Sequence, residues 1–272
     1  MRKLKDISDI EKSEILNQRK IGVSEKEILI NFDISSRQYY NLLKLNNIER
    51  NKLVRYGFNE DYFEVIDSED KAYFLGFIIA DGNISKNNNS VRIIQKETDI
   101  LYEFKKFISF EGPIFTRNDG KISFITVASS KMKNDLDKLG ISSNKTMVVK
   151  YPDISKKLQN HFIRGVFDGD GCISLRTDKR DNKQRGQFNI CSGSYDFIKE
   201  YYDKLVIFAN LGGKNKIRCP KGTYYVVDWG GLSDIENIYD FLYKDANVFL
   251  KRKKETFDKV VSITKDKNKY RK

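Results

Sequence analysis

The 272-residue sequence predicts an α+β fold built from one half used twice, with a small all-α unit ahead of it. Three observations lead there. The stretch FLGFIIADG, Phe74 to Gly82, returns as IRGVFDGDG, Ile163 to Gly171, matching at Gly76/Gly165, Asp81/Asp170 and Gly82/Gly171 at an offset of 89 residues. Behind each copy come segments that alternate between strand and helix patterning, bounded by turn residues. The first 50 residues show helical patterning only.

Residues 8 to 45 read as three short helices: one through Ile10, Ile15, Leu16 and Gln18, one opened by Ser24 with Glu27 in capping-box position, and one opened by Ser35 and running through Tyr39, Tyr40, Leu42 and Leu43. The pattern resembles a helix-turn-helix DNA-binding unit over residues 1–50, with Ser36, Arg37, Gln38 and Asn41 near the groove-facing side of its second helix. A helical bundle that merely caps the rest is the alternative. Residues 51–70 read as a linker with one short structured segment, Tyr62 to Ile66, and Ser68 as N-cap of the next helix. The first half then spans 71–152: the motif helix, strands at Asn83 to Lys86 and Ser90 to Lys96, a helix from Thr98 to Ile108, a hairpin turning at Asn118-Asp119-Gly120, and a helix from Lys131 to Leu139. The second half, 153–272, repeats this order. Its strands fall at Gly171 to Arg176 and Gly186 to Ser192, joined by the long TDKRDNKQR loop, then a helix Ser194 to Ala209, a hairpin of Lys214 to Arg218 with Thr223 to Trp229, and helices at Ser233 to Tyr243 and Lys251 to Ile263.

Within each motif copy the small residues fall four apart, Gly76 with Ala80 and Gly165 with Gly169, which sets them on one helix face and lets two backbones approach closely. Asp81 and Asp170 each end an apolar helix one residue before a glycine cap, where the helix dipole disfavours a carboxylate. If the two helices pack side by side, both carboxylates arrive at the same end. They repel there unless a divalent cation sits between them.

From Ala72 onward the chain resembles the LAGLIDADG homing endonucleases, in the single-chain form that carries two motifs. The resemblance implies two pseudo-symmetric αββαββα halves meeting at the motif helices and forming a DNA-binding saddle. It implies Mg²⁺, with Mn²⁺ able to substitute, on the eighth-position acids Asp81 and Asp170, with the carbonyls of Ala80 and Gly169 beside them. The first copy departs at its sixth position, Ile79, where the second keeps Asp168. By the family pattern the polar residue at the end of the second strand matches Gln95 and Ser192. The solvent-ordering lysine matches Lys145 and Lys253, with Lys251 and Lys254 also in register. Gln95 shares the core-facing parity of Val91 and Ile93, so its role is expected to need a bulge or a strong twist at that strand end. Ser192 is shorter than the usual Gln or Lys, so the two half-sites are expected to be chemically unequal.

Strand parity adds a face for the partner. Val91 and Ile93 alternate with Arg92, and Phe188 and Ile190 with Gln187 and Asn189, so each sheet has an apolar and a polar side. The polar sides together would present Lys86, Arg92, Arg117, Lys121, Arg176, Gln187, Asn189, Lys216 and Arg218, with Lys179, Arg180, Lys183 and Arg185 on the long loop. Such a face suits a duplex, phosphate contacts giving affinity and polar groups reading bases.

Composition agrees. A net charge of +12 suits a polyanionic partner. Cys172, Cys191 and Cys219 fit neither a CxxC pair nor a disulfide framework, which points to a reducing compartment. The single histidine, His161, makes a zinc site improbable and is expected at the surface. No apolar run nears the ~18 residues of a membrane span, and the N-terminus lacks a secretory pattern, so a cytoplasmic or organellar-matrix location is expected. The function that the resemblance implies is a monomeric, metal-dependent endonuclease that would cut both strands of a long DNA site across the minor groove, leaving short 3′ overhangs. The unequal halves imply an asymmetric site. A non-cleaving RNA maturase or a DNA-binding regulator on the same fold is the alternative.

Overall fold

Apolar spacing in the N-terminal stretch is enough to close a core of its own. The computed structural model describes residues 7–20, 25–48, 56–85, 88–117, 120–143, 145–179 and 181–266. The chain forms two compact units that divide between Arg55 and Tyr56. In the first unit α1 (Asp9–Lys20), α2 (Glu25–Phe32) and α3 (Ser36–Leu45) enclose Ile15, Ile28, Ile34, Tyr39, Leu42 and Leu43. Ser35 caps α3 reciprocally: the Gln38 N–H donates to its hydroxyl at 3.2 Å, and its own N–H donates to the Gln38 carboxamide oxygen at 2.8 Å. Ser24, expected to cap α2, lies outside the described residues.

The second unit begins earlier than a linker over 51–70 would allow. Tyr62 and Phe63 are fully buried in its core, and the Tyr62 hydroxyl donates to Asp70 at 2.6 Å. Its first half runs α4 (Glu69–Asp81), β1 (Gly82–Ile84), β2 (Ser90–Gln95), α5 (Asp99–Phe107), β3 (Phe115–Arg117), β4 (Ile122–Ala128) and α6 (Ser130–Lys138), a complete αββαββα order. A short helix α7 (Lys145–Val148) and a 3-10 turn (Lys156–Leu158) lead on. The second half runs α8 (Gln159–Asp170), β5 (Cys172–Asp178), β6 (Lys183–Ser192), α9 (Tyr195–Phe208), β7 (Tyr225–Trp229), α10 (Leu232–Tyr243) and α11 (Lys251–Asp266). Both sheets are antiparallel, ordered β1-β2-β4-β3 and β5-β6-β7. Alternate residues face inward, Val91, Ile93, Ile125 and Val127 in the first and Ile173, Phe188, Ile190 and Val227 in the second.

The halves are joined backbone to backbone. A Cβ on Gly76 would collide with the Phe162 carbonyl and lie 2.9 Å from the Val166 nitrogen; one on Gly165 would collide with the Tyr73 carbonyl and lie 2.9 Å from the Phe77 nitrogen. Each glycine is therefore where the other helix passes, and α4 and α8 abut along their length. Gly82 and Gly171 do a different job from the one expected of them. Neither adopts a left-handed cap conformation (φ −76° and −80°). Each is small because the chain turns straight back into a strand over its own helix, and a Cβ would lie 2.6 Å from the Ile78 carbonyl or 2.7 Å from the Phe167 carbonyl.

Three local expectations are corrected. Lys214 to Arg218 is not a strand: only Arg218 makes an isolated bridge, to Val226, between Gly212-Gly213 on one side and Pro220 on the other. The long loop after Arg176 is mostly strand. β5 and β6 pair out to Asp178 opposite Lys183, and Asn182 at φ 52° belongs to the tight turn between them. Ser68 stands at the N-cap position of α4, yet its hydroxyl makes no capping bond.

Candidate functional site

The C-terminal ends of α4 and α8 place Asp81 and Asp170 beside each other. A Cβ on Gly169 would collide with that of Ala80 and come within 3.2 Å of an Asp81 carboxylate oxygen, so the two helix ends touch where the acids emerge. Asp81 is held from one side by Gln95, whose carboxamide Nε2 donates to its Oδ2. No bulge is needed for this. β2 pairs with β4 in unbroken register to Gln95 opposite Ser123, and the core-facing parity of Gln95 points it at the helix end because α4 itself packs on that face. Among the described residues Asp170 accepts no hydrogen bond. Its topological counterpart of Gln95 is Ser192, since Gly82 lies opposite Ile93 in one sheet and Cys172 opposite Asn189 in the other. The Ser192 hydroxyl instead accepts from the Ser194 N–H at 3.2 Å.

Two buried lysines flank the acids. Lys145 donates to the carbonyls of Ile79 and, at 3.2 Å, Ala80, capping α4. Lys253 donates to the carbonyls of Gly171 and, at 3.4 Å, Phe167, capping α8. The neighbouring candidates are engaged elsewhere, Lys251 with Asp99 at 2.6 Å and Lys254 with Asp258 at 3.0 Å. Partial burial pushes the Asp81 carboxyl up, against the opposing pull of Gln95 and the lysines. The Asp170 carboxyl is pushed up to about 6, by desolvation first and by Asp81 second. Burial lowers both lysines, while the acids pull each back towards the charged form. Two crowded carboxylates, one of them without a hydrogen-bond donor, form a site that gains from a divalent cation. No group of three or more His, Cys, Asp or Glu side chains converges among the described residues. A cation here would thus be held by these two acids and by oxygens other than side-chain carboxylates. The Ala80 carbonyl, expected as one of those, already accepts from Lys145; Gly169 lies at the contact between the helices.

Three further residues stand around the site, none of them assigned a role from the sequence. Arg252 stands close enough to Asp81 to favour its charged form and is ion-paired with Glu97. Cys191, one position before Ser192, has its thiol pushed up by burial and then by Asp170. Asp168, fully buried, accepts from the Tyr73 and Tyr243 hydroxyls at 2.9 and 3.1 Å and from the Leu250 N–H at 2.7 Å. Cys191 had a sequence signal in its adjacency to Ser192, and Asp168 one in its sixth position of the second motif; Arg252 had none. His161 is half-buried rather than at the surface, 3.0 Å from Arg164 in the first turn of α8, remote from the acids.

The sheet residues divide by half. Arg92 donates to Thr126 at 2.9 Å and lies with Arg117 over the Phe124 ring. Lys121 is exposed, and Lys86 lies outside the described residues. In the second sheet Arg176, Lys179, Lys183 and Lys216 are exposed, Gln187 and Asn189 half-buried, and Arg180 outside the described residues. Arg185 is ion-paired with Asp178 and Asp181, both at 2.6 Å, and Arg218 with Asp228. In the N-terminal unit Ser36, Arg37 and Asn41 are exposed. Gln38 is turned inward by its capping bond. Lys44, unremarked in the sequence, shares a stripe with Arg37 and Asn41 by its i, i+4, i+7 spacing.

No family model matches the sequence. Two Methanocaldococcus jannaschii proteins are 26% identical to it. One is a reverse gyrase, over 186 residues, 68% of this chain and 10% of that protein. The other is a probable translation initiation factor IF-2, over 285 residues, 98% of this chain and 22% of that protein. The chain thus spans only a small part of either. Among solved structures it is similar to the LAGLIDADG homing endonuclease I-GzeII in complex with its DNA target (15% identity, TM-score 0.52, 73% of this chain and 92% of that one). It is similar also to the LAGLIDADG meganuclease I-CpaMI bound to uncleaved DNA (14%, 0.53, 75% and 94%) and to I-SmaMI bound to uncleaved DNA in the presence of calcium ions (15%, 0.52, 75% and 93%). This chain has the fold of the LAGLIDADG homing endonucleases.

Proposed function

We propose that the chain is a site-specific double-strand DNA endonuclease, active as a monomer, with Mg²⁺ or Mn²⁺ held by Asp81 and Asp170. What carries this reading is the delivery of one carboxylate from each of two abutting helices to a single place, with a buried lysine at each helix end. A cation bound there would supply charge stabilisation at phosphorus and a more acidic water. Gln95 fixes the orientation of Asp81 through its hydrogen bond. Lys145 and Lys253 offset the negative charge of the acids and of an incoming phosphate while sealing the helix ends. The two sheets carry the duplex, phosphates on the arginines and lysines and base edges on the half-buried polar residues. Arg37, Asn41 and their helix extend the footprint.

The test is digestion of a plasmid library carrying randomised inserts, with and without Mg²⁺, followed by sequencing of the ends. The expected result is one long asymmetric sequence cut on both strands, with short 3′ overhangs, only when the metal is present. Cutting that survives Asp81→Asn combined with Asp170→Asn would overturn the assignment. Tighter binding to RNA than to DNA at one fixed salt concentration would favour the maturase reading instead.

A further inference from the structure

The two sheets differ on the faces turned away from the core. In the first, Ile94, Phe124 and Phe115 stand opposite one another across three neighbouring strands, a continuous apolar row on the side away from Val91, Ile93 and Ile125. Ile94 is 42% exposed and Phe115 48% exposed. In the second sheet no large apolar side chain is exposed among the described residues, and the matching face carries Arg176, Gln187 and Asn189. Exposed apolar side chains in a row ask for an apolar partner. The row is edged by Arg92 and Arg117, whose guanidinium carbons lie 5.3 and 4.7 Å from the Phe124 ring centre. Neither arginine meets a carboxylate among the described residues. A partner that is apolar on its floor and anionic at its rim fits this surface, and the major groove of DNA is such a partner where it carries thymines. The C5-methyl of thymine is the one apolar group on any base edge there.

We infer that the half of the target lying on the first sheet is read through thymine methyl groups packed on Ile94, Phe124 and Phe115. The half on the second sheet is read through hydrogen bonds. This rests on the DNA-binding reading and gives the two halves of the site different chemistries.

The experiment uses the full chain and the target recovered from the library, with Ca²⁺ in place of Mg²⁺ so that binding is read without cutting. Each thymine is replaced in turn by deoxyuridine, which removes the methyl and leaves base pairing intact. The expected result is a loss of about fourfold in Kd per contacted methyl, confined to the half-site on the first sheet. In the Ile94→Ala/Phe115→Ala variant, whose side chains are exposed and outside the core, the deoxyuridine penalty disappears. An equal penalty in both halves, a penalty that persists in the variant, or a recovered target without thymines on that side overturns the inference while leaving the endonuclease reading intact. So does a concentration-dependent dimer of the chain that the same variant dissociates, which would give the row to self-association. Failure to recover any bound sequence instead removes the DNA-binding reading itself.

Discussion

Laid over each other at the 89-residue offset, α4 and α8 agree at the glycines that touch and at the terminal acids and differ at positions between them. The glycines and terminal acids are shared. At the positions between, α4 has Leu75 and Ile79, both buried and apolar, where α8 has Arg164 and Asp168, both buried and charged. The charged pair has a visible task. Arg164 donates to the carbonyls of Leu242 and Val248 and to Glu69, and Asp168 takes the Leu250 N–H. Glu69, at the start of α4, accepts from the Asn247 and Val248 N–H groups at 2.7 and 3.2 Å. Together they fix the turn between α10 and α11, three residues before Lys253. In the first half the corresponding lysine, Lys145, sits on a single helical turn held by local backbone bonds. The two halves thus share the contact and the acids but hold their lysines differently, the second half through a charged network that borrows Glu69 from the first.

The comparison breaks first at the acids. Asp81→Asn and Asp170→Asn, made singly, are each expected to slow single-turnover cleavage by about 10³-fold, because the cation needs both. A tenfold difference between the two would mean that the halves hold separate ions. The shared contact comes next. Gly76→Ala and Gly165→Ala each drive a methyl into the backbone of the partner helix, and each is expected to destabilise the fold by about 3 kcal/mol or more in urea titration. Similar losses at both positions mark a symmetric contact, whereas a tolerated substitution at either would show that the helices can part.

Smaller effects sharpen the asymmetry. Gln95→Ala removes a hydrogen bond to a carboxylate and is expected to slow cutting about tenfold. Ser192→Ala removes none from Asp170 and is expected to change the rate less than about twofold. Nicking assays that follow each strand separately would show the difference. The smallest effect is on stability. The Asp170 carboxyl is pushed up to about 6, first by desolvation and then by Asp81, so the folded state holds that proton more tightly than the unfolded one. Its contribution is therefore most favourable below about pH 4 and is lost as pH rises through about 6. Asp170 is crowded by the helix ends yet opens to solvent on one side, so the effect is reduced by screening: Asp170→Asn, without metal, is expected to raise stability by only about 1 kcal/mol near pH 7.5 and to do nothing near pH 4. Thermal unfolding at the two pH values checks this.

Much of the fold was legible because its determinants are local. The motif helices declared themselves through repeated small residues, the start of α3 through Ser35, and the strand faces through alternation at Val91 to Ile93 and Phe188 to Ile190. That Gln38 closes a capping box with Ser35 instead of facing a groove was not legible. What stayed hidden depends on contacts distant in sequence. Tyr62 and Phe63 sit among charged residues with no periodicity, and only the packed core shows why they are buried. Arg164 reads as a surface cation until its three partners, up to 95 residues away, are assembled around it. The bulge expected at Gln95 came from assuming that core-facing parity leads away from the site, whereas α4 brings the site to the core side of the sheet. At Lys214 to Arg218 the alternation was present, but the flanking glycines and Pro220 left no partner strand to pair with beyond one bridge.

The proposed site has one carboxylate from each half share one ion. Mn²⁺ titration of the protein bound to its target duplex, followed by electron paramagnetic resonance, tests it directly. Asp81→Asn and Asp170→Asn are each expected to weaken binding of the same ion by at least about tenfold. Unchanged Mn²⁺ binding in either variant would contradict it.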